Sequence, residues 1–143
     1  MKTKNKIKVC FVVSEDWYFY SHRFEIAKKL LKNNYKIYLI CKISKYKEII
    51  QSAGIEVFNI NFNRSKISFF NDLSSIIKIA KIIKENKFNI VHSVGIKIIL
   101  IASLANIFNK NNSMINAFAG MGHLFTSFSL KNMFYRNLFL LLI

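Results

Sequence analysis

The polar and apolar positions of the chain alternate between short apolar runs and longer segments with helical spacing. Two of the runs, residues 7–13 and 35–41, are rich in β-branched and aromatic residues, which is typical of strands. Residues 55–60 alternate between apolar and polar side chains and predict a strand near the edge of a sheet. Residues 89–94 and 114–117 are further predicted strands, so the pattern indicates about five.

Helical periodicity separates these strands. A helix is predicted to start near Phe24, a short one to cover residues 46–52, and a largely apolar one to cover residues 96–108. The clearest helix begins at Asn71 or Asp72. Its predicted core face consists of apolar residues at helical spacing, namely Leu73, Ile76, Ile77, Ala80 and Ile83.

This alternation of strands and helices predicts an α/β fold. By the rules for crossover connections, the sheet is a doubly wound, Rossmann-like and mostly parallel sheet of about five strands. The length of 143 residues fits one domain, covering residues 1–143. A last helix is predicted from Lys131, and it stops in the apolar residues 140–143 without a cap, which indicates a truncated chain.

The stretch that follows the first predicted strand, residues 14–23, is the first candidate site. We expect a loop here, with Ser21 as the N-cap of the next helix and with His22 and Arg23 in its first turn. Two potential cations are disfavoured at a helix N-terminus unless an anion lies nearby. The stretch therefore indicates contact with an anion or a sugar. The alternative is an ordinary helix start whose aromatic rings pack on neighbouring loops.

Three further positions are candidates. Gly120 and Gly122 form a Gly-x-Gly that would let backbone amides approach a phosphate or sugar, or that would simply make a turn with positive φ. His92 lies towards the end of a predicted strand, where it is either a candidate catalytic group or a packed strand histidine. The adjacent acids Glu15 and Asp16 are expected in a solvated loop.

Other kinds of site are not expected. Cys10 and Cys41 lie far apart within strand-like runs, so we expect buried free thiols, a reducing cytosol, and neither a metal site nor a cofactor. The apolar run that follows the basic N-terminus stops at Glu15, which argues against a signal peptide. Apolar stretches are also too short to span a bilayer.

The formal net charge of +15 raises the question of an anionic partner. The lysines are scattered and no nucleic-acid-binding motif is visible, so nucleic acid is not expected. Two explanations stay open. One is attraction to an anionic membrane surface. The other is codon bias, because the chain is rich in Ile, Lys, Asn and Phe and contains no Pro.

Taken together, these segments resemble the N-terminal domain of glycosyltransferase family 4 enzymes, which have the GT-B fold. The resemblance is carried by a small set of segments: residues 8–13 leading into 19–23, residues 34–39, residues 88–93 with Gly95 and Lys97, residues 102–105, and residues 115–127. The last segment is the most specific. It is similar to bacterial enzymes that transfer sugars to lipid-linked or surface-polysaccharide acceptors.

The chain departs from the family pattern in four respects. Val94 stands where many members have a second His, Ile98 where a Pro is common, and Asn34 where a Gly is frequent. The resemblance also does not extend to the family's second domain, which usually binds the nucleotide-sugar. Because of Val94, a catalytic role for that position is not carried over to this chain.

The resemblance implies the acceptor-side half of a retaining glycosyltransferase that moves a sugar from a nucleotide-sugar to a lipid-linked or polysaccharide acceptor. It implies that His22, Arg23, Gly120 and Gly122 line the cleft with His92 nearby, and that a second polypeptide supplies the C-terminal domain. We expect the chain to be inactive alone, and to be cytoplasmic or peripheral on the inner face of the cell membrane. The alternative is a non-catalytic basic module that binds a membrane surface or a partner chain.

Overall fold

Five parallel strands form one sheet in the order β3-β2-β1-β4-β5. The structure is a computed structural model that describes residues 6–62, 69–107, 109, 111–119, 133, 136–137 and 140. Its elements along the chain are β1 (Lys8–Glu15), α1 (Asp16–His22), α2 (Phe24–Lys32), β2 (Lys36–Lys42), α3 (Lys47–Ser52), β3 (Glu56–Asn59), α4 (Phe69–Asn86), β4 (Ile90–Val94), α5 (Ile96–Asn106) and β5 (Ser113–Ala117). The predicted doubly wound α/β fold is confirmed.

Helices cover both faces of the sheet, and each face has its own apolar core. On one face, Cys10, Val12 and Ile40 of the strands pack with residues of α4 and α5 such as Ile79 and Ala102. On the opposite face, alternate strand residues pack against α1, α2 and α3. Because successive side chains of a strand point to opposite faces, runs without polar interruption are what β1 and β2 need at the centre of such a sheet. The short strand β3 lies at the edge, as predicted.

The prediction of a loop for residues 14–23 is wrong. Glu15 ends β1, and α1 begins at once with Asp16. Ser21 is not an N-cap, because it lies exposed inside α1. Phe19 explains the difference: the helical conformation turns its ring into the core, where it is fully buried. Burial of a large aromatic ring contributes more to stability than the single hydrogen bond of a serine cap.

The predicted core face of α4 is also partly wrong. The helix begins at Phe69, before the predicted cap, and Leu73 and Ile77 are 43% and 61% exposed. Ile79 and Ile83 are buried, on the side that faces the sheet. Isoleucines occupy two adjacent stripes of this helix, so periodicity alone does not select the stripe that packs.

The remaining helix and strand boundaries differ from the predictions by small shifts. The helix α5 ends at Asn106 rather than at residue 108, and β5 starts at Ser113. The helix predicted from Lys131 lies largely outside the described residues. Within the described part of the chain, no helix is both long enough and apolar enough to cross a membrane.

Candidate functional site

The carboxyl ends of the five parallel strands meet at one edge of the sheet, where ligands bind in open α/β folds. Two helices begin at this edge directly after a strand. The helix α1 follows β1 without an intervening residue, and α5 follows β4 after Gly95 alone.

Asp16 is the first residue of α1, and the expectation of a solvated loop for it is wrong. Its carboxylate is fully buried. Oδ2 accepts hydrogen bonds from the backbone N–H groups of Ser44, at 2.8 Å, and Tyr46, at 2.9 Å, while Oδ1 accepts one from the Ser44 hydroxyl at 2.5 Å. Burial raises the pKa of Asp16, but these hydrogen bonds outweigh it and the pKa is lowered overall. The buried group is thus an ionised carboxylate that ties α1 to the segment after β2.

The neighbouring Glu15 also has a partner. Its Oε2 accepts a hydrogen bond from the indole N–H of Trp17. Neither acid of this stretch is therefore a freely solvated side chain, and both help to fix the start of α1.

Arg23 marks the junction between α1 and α2. Its backbone N–H donates to the carbonyl of Phe19 at 2.8 Å and closes α1, while its own carbonyl accepts from Ala27 at 3.0 Å and opens α2. The Nη1 group donates to the carbonyl of His22 at 3.0 Å. The guanidinium Nε is buried and has no hydrogen-bond partner among the described residues.

His92 lies on β4 between Phe11 of β1 and Ile115 of β5. Its ring contacts the Phe11 ring at 5.2 Å between centroids, on the face of the sheet that α1 and α2 cover. Its Nε2 is buried and, within the described part of the chain, lacks a hydrogen-bond partner. Burial of the ring, followed by the charge of Arg23, lowers the pKa of His92.

Arg23, at the α1–α2 junction, and His92, on β4, come from separate elements, and the positive charge of Arg23 acts on the imidazole. The lowered pKa keeps the imidazole neutral near pH 7. A cationic guanidinium can donate hydrogen bonds to an anion, and a neutral imidazole can donate or accept one according to its tautomer. The pair can therefore bind a negatively charged or hydroxylated group. A buried polar nitrogen without a protein partner is uncommon, and a ligand is one of its explanations.

His22 is not part of this pair. It lies in the last turn of α1 rather than in the first turn of a helix, so the expected conflict with the helix dipole does not arise. Its ring stacks on Tyr18 at 4.4 Å between centroids, and its Nδ1 lies 3.2 Å from the carbonyl oxygen of Tyr18. A role of this exposed ring in substrate binding stays a prediction.

Gly95 makes the sharp turn from β4 into α5. Its φ of 88° lies in the region that favours glycine. Its backbone N–H donates to the carbonyl of Ala117 at 3.0 Å and so joins the ends of β4 and β5. Lys97, in the first turn of α5, forms an ion pair with Asp72 of α4 at 2.9 Å. The motif Gly95–Lys97 thus fixes the start of α5 beside α4.

Gly120 and Gly122 lie outside the described residues. Sequence reasoning missed the role of Ser44 and Tyr46 as partners of Asp16. The available signal was an acid placed directly after an apolar strand, where the first turn of a helix favours a carboxylate.

A sequence model of the glycosyl transferase 4-like family matches residues 8–142, so the chain belongs to that family. A comparison with curated proteins finds no match. The family assignment confirms the resemblance drawn from the sequence segments.

Solved structures show the same fold at low sequence identity. A glycosyltransferase from Rickettsia africae ESF-5 is 20% identical with a TM-score of 0.64 over 79% of this chain and 30% of that chain. MurG from Acinetobacter baumannii is 13% identical with a TM-score of 0.62 over 78% and 34%. A UDP-N-acetylglucosamine 2-epimerase from Listeria monocytogenes is 14% identical with a TM-score of 0.65 over 97% and 38%.

These likenesses show the fold and not the reaction, because transferases and an epimerase share it. The chain spans about a third of the length of these structures. The protein is thus a glycosyl transferase 4-like chain whose described residues form a Rossmann-like α/β sheet of the GT-B type.

Proposed function

We propose that this chain forms the acceptor-side wall of a retaining glycosyltransferase, which moves a sugar from a nucleotide-sugar to a lipid-linked or polysaccharide acceptor. The observation that supports it most directly is that Arg23 and His92 each have a buried nitrogen without a hydrogen-bond partner among the described residues, and that the charge of Arg23 acts on the imidazole of His92. Membership of the glycosyl transferase 4-like family supports sugar transfer as the class of reaction.

The chemistry of sugar transfer suits such a pair. Negative charge builds on the leaving phosphate in the transition state, and a fixed cation lowers the barrier more than a mobile one. The guanidinium of Arg23 would supply that charge, or bind an anionic group of the acceptor. The neutral ring of His92 would hydrogen-bond a sugar hydroxyl. We further propose that His22, Gly120 and Gly122 line the same cleft.

We propose that a second polypeptide provides the donor-binding half of the enzyme and that these 143 residues do not transfer sugar alone. One wall of a cleft stays wet, so hydrogen bonds and ion pairs to a diphosphate contribute little there. Catalysis also needs both reactants at near-attack distance, a contribution of roughly 7–11 kcal/mol that half a site lacks.

A transfer assay tests this proposal. The purified chain is incubated with a panel of radiolabelled nucleotide-sugars and a membrane lipid extract, with heat-killed protein as the control. We expect no label in the lipid fraction above the control, and we expect the chain to bind the lipid fraction weakly. Transfer of sugar by the chain without a second polypeptide would contradict the half-site proposal.

The outward face of α4 favours a second role, contact with an anionic membrane surface. Leu73 and Ile77 are 43% and 61% exposed, and Lys81 and Lys84 continue the same stripe at helical spacing. Aliphatic side chains beside lysines suit a surface of anionic headgroups over acyl chains. This contact would place the chain on the inner face of the cell membrane, close to a lipid-linked acceptor.

The same face also fits the alternative function, a non-catalytic basic module. The two differ in what happens at Arg23 and His92. A module that only docks on a membrane needs neither residue for binding, whereas the acceptor wall of a transferase needs both.

A further inference from the structure

We infer that Asp16 is a positioning residue of the proposed site: its buried carboxylate fastens α1 to the segment after β2, and α1 in turn sets the position of Arg23 at its end and of the Phe19 ring that packs beneath the surroundings of His92. The inference rests on the proposed function only for what this arrangement serves. The geometry itself can be tested without any ligand.

The attachment begins at the carboxylate. Asp16 is fully buried, and both of its oxygens accept hydrogen bonds from Ser44, with Tyr46 as a second partner of Oδ2. Hydrogen bonds to an ionised acceptor are shorter and stronger than neutral ones. Three such bonds to two residues of one segment fix both the position and the direction of the start of α1.

The position of Asp16 argues for more than a helix start. A carboxylate in the first turn also interacts favourably with the helix dipole when it is exposed to water. Burial adds a desolvation cost, which the hydrogen bonds have to offset. A carboxylate that serves only the helix start gains nothing from this burial, whereas an attachment point gains a fixed direction for the helix.

The attachment extends along α1 to Arg23. The helix has only seven residues, so a shift at its first residue moves its last. Tyr20 stacks on Tyr46 at 4.5 Å between ring centroids, which gives α1 a second contact with the segment that holds Asp16. Arg23 follows directly after the last residue of this helix.

The same helix supports the surroundings of His92. The Phe19 ring of α1 contacts Phe11 edge-on at 5.4 Å between centroids, and Phe11 contacts His92 at 5.2 Å. Movement of α1 would therefore change both the distance from Arg23 to His92 and the packing beneath the imidazole. Burial of the ring, followed by the charge of Arg23, lowers the pKa of His92, so the titration of His92 reports on the position of α1.

The test is the pKa of His92 in the full chain, measured by NMR on protein with ¹³C-labelled histidine. We expect Asp16→Asn to raise this pKa by about half a unit, because a loosened α1 weakens both the repulsion from Arg23 and the burial of the ring. The direct loss of the Asp16 charge acts in the opposite direction, since a nearby negative charge favours the protonated imidazole. The sign of the shift thus separates movement of α1 from a simple change of charge.

Three further variants complete the experiment. Ser44→Ala removes one hydrogen bond of the carboxylate and should give a smaller rise, which provides a readout even where Asp16→Asn does not fold. Arg23→Gln should raise the pKa of His92 directly. Asn112→Ala removes the hydrogen bonds between the side-chain amides of Asn106 and Asn112, in which Asn106 Nδ2 donates to Asn112 Oδ1 at 2.7 Å. Asn112 lies at the amino-terminal end of β5, so this variant should lower stability while leaving the pKa of His92 unchanged.

The inference is supported if the pKa of His92 rises in Asp16→Asn or Ser44→Ala and stays unchanged in Asn112→Ala. An unchanged or lower pKa of His92 in the folded Asp16 and Ser44 variants overturns it. Because no sugar or lipid is present in this experiment, its failure is distinct from a failure of the proposed function.

Discussion

Arg23, at the junction of α1 and α2, acts on His92 of β4: burial of the imidazole, followed by the charge of the Arg23 guanidinium, lowers the pKa of His92. Each side chain buries one nitrogen that lacks a hydrogen-bond partner in the described part of the chain. A buried nitrogen without a protein partner is uncommon, and a bound ligand is one of its explanations.

The first prediction concerns the effect of pH on stability. The ordinary pKa of His92 is 6.5, and the fold lowers it. As the pH falls below about 6.5, the unfolded chain binds a proton before the folded chain does, so the free energy of unfolding decreases down to the folded pKa. Above about 6.5 this contribution is present in full. Urea unfolding at about pH 7.5 and pH 5.5 measures it.

His92→Gln should reduce this loss of stability at low pH, because the variant removes the group whose pKa the fold lowers. Asp16 acts in a separate window, because its lowered pKa removes stability only as the pH falls below its ordinary value of 3.8. An identical pH dependence in the wild-type chain and in His92→Gln would show that the fold does not hold His92 neutral.

The sequence predicted the architecture well, and physical reasons explain where it did not predict the site. The strands were recognisable because β1 and β2 bury both faces and so carry few polar residues. The sequence makes both Arg23 and His92 candidates, but for different reasons, because the action of one on the other depends on the packing of α1 against the sheet. The expectation of a solvated Asp16 is wrong because an acid directly after an apolar strand signals only a helix start, while its partners Ser44 and Tyr46 come from a different crossover.

The second prediction compares two glycines. Gly95→Ala and Gly54→Ala should each lower the free energy of unfolding by about 1–3 kcal/mol, because a side chain is strained at positive φ. Both positions have φ near 90° and open space where the Cβ would lie, so the strain is matched. Only Gly95 lies beside the candidate site. Urea unfolding should give similar losses, while binding of lipid extract should weaken in Gly95→Ala alone.

The third prediction tests the outward face of α4. Ile77→Ser should weaken binding to vesicles rich in anionic lipid by about tenfold, since burial of an isoleucine contributes about 1.5–3 kcal/mol and 1.4 kcal/mol is a factor of ten. Ile26→Ser is the matched control, because Ile26 is 48% exposed on α2. Vesicle co-sedimentation at low and moderate salt measures both variants. Equal weakening in the two would show that α4 is not the contact.

The fourth prediction concerns the thiols. Burial, with a smaller contribution from the charge of Asp16, raises the pKa of Cys41 to about 12, and burial raises that of Cys10 well above its usual value. Because the thiolate is the reactive form, both cysteines should resist alkylation at neutral pH until the chain unfolds. Mass spectrometry after treatment with iodoacetamide, with and without urea, measures this. Rapid labelling of the folded chain would contradict the burial of both thiols.

The fifth prediction follows from the proposed binding role of Arg23. Arg23→Gln should weaken binding of a nucleotide-sugar or acceptor much more than it lowers the free energy of unfolding. The reason is that the Nε group gives up no protein hydrogen bond among the described residues, whereas a hydrogen bond to a charged ligand contributes about 1.5–3 kcal/mol. Urea unfolding and ligand titration of the same preparation compare the two losses. A variant that unfolds much more readily but binds normally would make Arg23 a structural residue.

The most direct test of the account is an NMR titration of the chain that follows the Nε–H signal of Arg23 and the ring signals of His92. The ligands are a panel of nucleotide-sugars and a detergent-solubilised membrane lipid extract, each added separately, with the amide of Gly54 as an internal reference remote from the site. We predict that at least one ligand shifts both the Arg23 and His92 signals in a saturable manner, and that Arg23→Gln abolishes the shift at His92. If every ligand leaves both signals unmoved, or if Arg23→Gln responds like the wild-type chain, the pair is not a binding site and the central claim is wrong.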